Sequence, residues 1–216
     1  DKTAMLMAWP RPYSDVFSII EQAKNQTIVL CTTGDPMWFG AGKSIVNRFG
    51  LDRCEIIPHI SGFQMAAARM GWAVDECETV TIHGRPVPSI LPNIYRRGRV
   101  LLLAEDRHSP KKVATLLVDY GFGKAQMTVL AHLGGKAESR FCGHADSWSH
   151  NVPDLNIIAV QCPDLALKTV RFGIDDSVFL HNGKITKREV RASALAKLAA
   201  FPGAVLWDVG AGSGAV

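Results

Sequence analysis

Thr27-Ile28-Val29-Leu30-Cys31-Thr32-Thr33-Gly34-Asp35-Pro36-Met37-Trp38-Phe39-Gly40 is an apolar, β-branched run that breaks into a polar glycine turn. Residues 27–31 read as a buried strand bounded by polar residues. A helix from Gly40 to Phe49 follows, so the turn joins a strand to a helix. The turn offers backbone amides near a helix start. Gly34 lets the backbone approach a ligand, because it has no Cβ and is free to take positive φ. Asp35 either caps the helix or orients a ligand.

Outward from this unit the same alternation repeats. Glu55-Ile56-Ile57 is the next strand, stopped by Pro58, and Phe63 to Met70 is an alanine-rich helix. Thr79 to Ile82 and Val100 to Ala104 are the third and fourth strands. Ser109 as N-cap and Pro110 at a helix start open a helix to Tyr120, ended by Gly121 and Gly123. Thr128 to Ala131 and Asn156 to Val160 are further strands. This is an α/β pattern, with the first four strands expected to run parallel. Boundaries fall near residues 96–100, where a basic run precedes the fourth strand, and in the loop-rich stretch 163–184. Thr186-Lys187-Arg188-Glu189 fits a capping box for a helix from Val190 to Ala200, ended by Pro202-Gly203.

Polar turns follow the first four strands: Thr33 to Pro36, His59 to Gly62, His83-Gly84-Arg85 and Glu105-Asp106-Arg107. Ligands of open parallel sheets bind at the carboxyl ends of strands, so these turns are expected to line one cleft. Beside the third strand end, Arg85 is the candidate contact for a substrate carboxylate. His83 is a candidate for orienting substrate or shuttling a proton, or else a structural histidine. The sequence assigns no catalytic residue.

Net charge is +4, too weak to indicate nucleic acid and suited to an anionic small molecule. The five cysteines are scattered without C-x-x-C spacing, as in a reduced cytoplasmic protein without structural zinc, and no metal ligands are assigned. No apolar run reaches the ~18–20 residues of a membrane span. No signal peptide is present, and the missing initial Met suggests that the true N-terminus lies further upstream.

The far end carries a second glycine loop. Leu206-Trp207 reads as the end of a strand running into Asp208-Val209-Gly210-Ala211-Gly212-Ser213-Gly214. A dinucleotide fingerprint needs wider spacing to its last glycine. Here Gly210, Gly212 and Gly214 are evenly spaced after Asp208, as in S-adenosylmethionine sites.

Strand, Gly34-Asp35-Pro36, then Met37-Trp38-Phe39-Gly40 resembles the hallmark of the tetrapyrrole methylases. The similarity continues at Ile57-Pro58-His59-Ile60-Ser61, His83-Gly84-Arg85-Pro86 and Leu133-Gly134-Gly135, and covers most of residues 5–165. The last two stretches are similar to the branch that methylates precorrin-6Y. Many relatives carry a small residue where this chain has His59. The resemblance implies two α/β lobes with a cleft between them, and an opening strand with a G-x-G-x-G loop ahead of Asp1. It implies S-adenosylmethionine as cofactor, held by Gly34, Asp35, Pro36, Met37, Phe39, Gly40 and Ser61, with Ala104 and Ala131 near the adenosine.

Gly183 to Arg191 followed by Asp208 to Gly214 looks like the start of a fused decarboxylating methylase module, with Asp208, Gly210, Gly212 and Gly214 at its own cofactor. The implied map is a first lobe at 1–98, a second lobe at 99–165, a linker at 166–183, and the first helix and strand of a Rossmann-like domain at 184–216. The implied reaction is methylation of an anionic corrin precursor at carbons 5 and 15 with decarboxylation, in cobalamin biosynthesis. A homo-oligomer without nucleic-acid or membrane partners is expected. The alternatives are a methylase of the same fold acting on RNA or protein, a dinucleotide-binding oxidoreductase, and a non-enzymatic binding module.

Overall fold

The computed structural model describes residues 4–23, 26–164, 173–200 and 204–215. Helices α1 (Asp15–Gln22), α2 (Gly42–Phe49) and α3 (Gly62–Met70) precede strands β1 (Glu78–Thr81) and β2 (Arg99–Leu103). Helix α4 (Ser109–Asp119), strands β3 (Gln126–Ala131), β4 (Ser139–His144) and β5 (Asn156–Gln161), and helix α5 (Arg188–Leu198) follow.

The five strands form one sheet in the order β1-β2-β5-β3-β4. β1 and β2 are parallel, and every other pairing is antiparallel. β2 and β5 are apolar almost throughout because both sheet faces are covered. Val100, Leu102, Met127, Val129, Ile158 and Val160 face α4 and pack on Val113, Ala114 and Leu117. Leu101, Leu130, Ile157 and Ala159 point the other way, onto Phe63, Ala66 and Ala67 of α3. Helix α3 is fixed at both ends. Ser61 and Gln64 form a reciprocal capping box, and Gly71 closes the C-terminus at φ +66°.

The mixed α/β class agrees with the sequence, but several expected elements do not. Residues 27–31 and 55–57 form no strand, so the first four expected strands are not a parallel set. A strand requires a neighbour for its N–H and C=O groups, and neither segment has a ladder partner among the described residues. Val29 stays 78% and Ile57 74% exposed, and the Cys31 carbonyl accepts instead from Trp9 Nε1 at 2.8 Å. The expected strand before Asp208 is likewise absent among the described residues, with Trp207 87% exposed. β4 was not anticipated.

Helix α5 forms without the expected capping box, because its N-cap is Lys187 rather than Thr186. The expected stop at Pro202-Gly203 lies outside the described residues. Helix α4 begins at Ser109 itself, and Asp106 does the capping: its Oδ1 accepts from the His108 and Ser109 amides, both at 2.9 Å. Burial raises the Asp106 carboxyl, but hydrogen bonds from the Ser109 hydroxyl and these two amides outweigh it and hold the group below its ordinary range. β1 lies on the 1–98 side of the expected lobe boundary and bonds β2 on the other, so the sheet runs across it.

Candidate functional site

The Gly34–Gly40 turn is folded back on itself so tightly that a Cβ at Gly40 would stand 2.6 Å from the carbonyl oxygens of Asp35 and Pro36. Gly34 takes φ +69° and sits beside Ser61 and Gly62 at the start of α3, where a Cβ would meet Gly62 N at 3.6 Å. That helix start is in turn pressed onto the sheet, since Gly62 leaves no room for a Cβ against Ile157 Cδ1. The glycines thus set how closely turn, helix and strand ends approach one another.

Asp35 ties the turn together and ties it to its neighbour. Its Oδ1 accepts from the Met37 and Trp38 amides at 2.8 and 3.2 Å, and its Oδ2 accepts from the His59 amide at 3.1 Å. The Met37 and His59 amides hold the carboxyl below its ordinary range, with burial opposing and the Trp38 amide adding a smaller effect. Both oxygens are therefore spent on backbone, and the carboxylate acts as a staple between residues 35–38 and 59.

Between the two loops lies an open groove of about 790 Å³, walled by Asp35, Met37 and Trp38 on one side and Pro58, His59 and Ile60 on the other. Trp38 and Phe39 both pack on Phe63 of α3, with centroids 5.3 and 5.8 Å away. Phe39 does so at φ +56°, an uncommon conformation for a bulky residue. Above it the Arg85 guanidinium lies 5.6 Å from the ring centroid, so the third turn also reaches the first. Arg85 and its neighbour His83 are exposed, and Arg85 makes no ion pair among the described residues. The His83 amide donates to Thr81 Oγ1 at 3.1 Å, which fixes the turn at the end of β1.

Of the expected cofactor residues, Gly34, Asp35, Pro36, Met37, Phe39 and Gly40 form one loop. Ser61 is 2% exposed, and its side chain is engaged in capping α3. Ala104 and Ala131, at the ends of β2 and β3, are 7% and 0% exposed and are not groove walls. The fourth turn also sits at these strand ends, but Arg107 pairs with Asp154 there. The remaining basic residues do not form one patch. Arg96 and Arg97 bond Asp164, and Arg99 bonds Glu76 at 2.6 Å. The Gly134 loop backs α3: the Gly134 amide donates to Glu138, which also pairs with Arg69, and a Cβ there would strike Met65. Trp38 and Ile60 are groove walls that sequence reasoning passed over, although both sit inside the motifs that drew attention.

The second glycine loop stands apart. Gly210, Gly212 and Gly214 have φ of +85°, +55° and +63°, yet a Cβ at Gly210 or Gly214 would meet nothing within 4 Å. Asp208 is exposed. What organises this end is Arg191, which is 2% exposed. Its guanidinium donates to Asp176 at 2.5 Å, to the Thr186 carbonyl at 2.7 Å and to the Ile174 carbonyl, and covers the Phe179 ring.

Residues 11–146 match the family model of tetrapyrrole (corrin/porphyrin) methylases, and residues 177–216 match that of a precorrin methyltransferase domain. The chain is 35% identical over 212 residues to a precorrin-6Y C(5,15)-methyltransferase (decarboxylating) of Sinorhizobium sp, covering 96% of this chain and 51% of that protein. It thus spans about half the length of the curated relatives it matches. A solved precorrin-6Y methylase from Archaeoglobus fulgidus superposes with a TM-score of 0.51 at 26% identity, covering 74% of each chain. A uroporphyrin-III C-methyltransferase of Thermus thermophilus, solved with S-adenosylhomocysteine, gives 0.54 at 16% identity over 70% of this chain and 75% of that one, which supports the fold. The match over residues 11–146 of 216 covers the groove, its stapled loops and the first four strands of the sheet, and the chain belongs to the tetrapyrrole methylase family.

Proposed function

We propose that this chain carries the first methylase module of an S-adenosylmethionine-dependent enzyme that methylates precorrin-6Y, together with the start of a second, decarboxylating module. The first module serves carbon 5 of the corrin precursor. The second serves carbon 15 and removes a carboxylate. The supporting observation is the Asp35 staple: it holds the Gly34–Gly40 turn against the 58–60 loop, leaving a groove with polar backbone below and Met37, Trp38 and Ile60 at its walls. A polar amino-acid moiety and an apolar methylthio group fit such a wall.

The chemistry asks mainly for alignment. A nucleophilic ring carbon displaces the sulfonium methyl in line, so positioning supplies most of the rate gain. Arg85, above Phe39 and without a carboxylate partner among the described residues, is the proposed contact for a substrate carboxylate. His83, on the same turn, orients that contact. Ser61, Ala104 and Ala131 are proposed as the floor beneath the cofactor, and Asp208, Gly210, Gly212 and Gly214 as the cofactor loop of the second module. The proposed map keeps lobes at 1–98 and 99–165, a linker at 166–183 and the second module from 184. We also assign an anionic tetrapyrrole substrate, a homo-oligomer, no nucleic-acid partner and a cytoplasmic location. No helix among the described residues is long and apolar enough to cross a membrane.

The test is Gly34→Val in the full-length protein. A β-branched residue is strained at φ +69°. Calorimetric titration with S-adenosylhomocysteine should show one site lost. Mass spectrometry of the product should show carbon-5 methylation gone, with decarboxylation retained. Loss of decarboxylation with carbon-5 methylation intact would reverse the assignment of the modules.

A further inference from the structure

We propose that His59 is a catalytic base of this groove: its imidazole takes up the proton that the substrate ring releases after it has accepted the methyl group. The proposal rests on the methylase reading above. Replacing hydrogen by methyl on an unsaturated ring carbon has two parts. The ring's π pair forms the new carbon–carbon bond while the sulfur–methyl pair returns to sulfur, giving a neutral thioether and a cationic ring. The ring then loses a proton from the methylated carbon, and conjugation is restored. Alignment accounts for the first part. The second needs an acceptor beside the ring, and the reaction needs no further reagent.

The groove offers one. His59 is exposed and lines the groove together with Met37 and Trp38. Its backbone is pinned by the hydrogen bond that its N–H donates to Asp35 Oδ2 at 3.1 Å, so the imidazole is carried on a fixed point of the loop. The ring itself makes no hydrogen bond or ion pair among the described residues. Asp35 is the only other titratable wall residue, and its oxygens already accept three backbone amides. It is therefore poorly placed to take a proton, and well placed as a counter-charge to an imidazolium. Arg85 lies beyond Phe39 and has no proton-accepting capacity, and His83 belongs to the Arg85 turn rather than to the groove wall. Imidazole is also the side chain whose ordinary proton affinity suits exchange near neutral pH.

The position sits beside the Gly34–Gly40 loop, and its staple to Asp35 uses only the backbone N–H. His59→Gly therefore removes the base while leaving a backbone that the fold accommodates, and His59→Gln keeps bulk and polarity. In the full-length protein both variants should bind S-adenosylhomocysteine within about threefold of the parent, because the staple uses only the backbone N–H. Carbon-5 methylation, followed by product mass, should slow about 100-fold. Any acid-side fall in rate that belongs to this base should disappear in both variants. Added imidazole should restore part of the His59→Gly rate.

Parent-like rates with an unchanged pH profile would overturn the proposal. So would variants that lose cofactor binding and activity in equal measure, since that marks a structural role. Failure of the parent itself to bind S-adenosylhomocysteine would overturn the methylase reading, and this role for His59 with it.

Discussion

The chain carries two unlike glycine loops, Gly34–Gly40 and Gly210–Gly214, and their surroundings differ as much as their sequences. In the Gly34–Gly40 turn, neighbours require glycine at 40, where a Cβ collides with two carbonyl oxygens, while the backbone angle of +69° requires it at 34. In the Gly210–Gly214 loop, glycine is required by backbone angle alone, with open space at Gly210 and Gly214. The first loop is finished by contacts within the described structure. The second has its backbone shape, with nothing packed against Gly210 or Gly214 among the described residues. A glycine motif therefore reports conformational permission, and only the packing around it shows whether a binding surface exists.

The contrast can be broken experimentally. Gly40→Val should have the largest effect, since the clash is with backbone that cannot step aside. We expect a loss of about 3 kcal/mol or more in the local fold, seen as abolished S-adenosylhomocysteine binding and early amide exchange across residues 35–42. Survival of binding in that variant would remove the packing argument. Next comes Arg191→Ala, which probes what supports the second loop instead. Removing a nearly buried guanidinium strands Asp176 and two carbonyls, at a cost of about 3 kcal/mol. Hydrogen exchange should show α5 unprotected while α3 is unchanged.

Ser61→Ala should cost about 1 kcal/mol through loss of the α3 cap. It should weaken cofactor affinity by no more than that if the serine acts only as a cap, so a larger loss would indicate direct contact. Gly210→Ala should cost about 1 kcal/mol from left-handed strain and leave the first loop untouched. The smallest effect at neutral pH is that of acid. Asp35 is held below its ordinary range, so its staple is complete above that range and is lost as pH falls through the lowered value. Cofactor affinity at the first loop should hold steady through the ordinary carboxylate range and decline only below it.

The sequence made the interior of the sheet legible and its edges illegible. β2 and β5 read as strands because two covered faces demand apolar residues in succession. The same rule misread residues 27–31 and 55–57, since an apolar run states a preference for extension and says nothing about who supplies the ladder. β4 escaped notice for the opposite reason. It is an edge strand whose Arg140, Cys142 and His144 face solvent, leaving only Phe141 as an apolar signal. At the site, the Gly34–Gly40 loop was readable because its residues are contiguous. The Asp35–His59 bond was not, because it joins residues 24 positions apart and exists only once both loops have docked on α3. Glu105-Asp106-Arg107 looked like ligand chemistry, yet Asp106 serves the helix end and Arg107 serves Asp154.

The parallel pairing of β1 with β2 also bears on how the groove exchanges its contents. Four register pairs, from Glu78 with Val100 to Thr81 with Leu103, connect the chain on either side of residue 98. A hinge there would have to unzip a ladder whose second strand is central and buried, so rigid swinging at that point is closed off. The softer place is the exposed turn after β1, where the guanidinium of Arg85 rests on Phe39. Entry and release are then expected to use short loop excursions over a stationary sheet, on the nanosecond-to-microsecond scale of loops rather than the slower scale of domains.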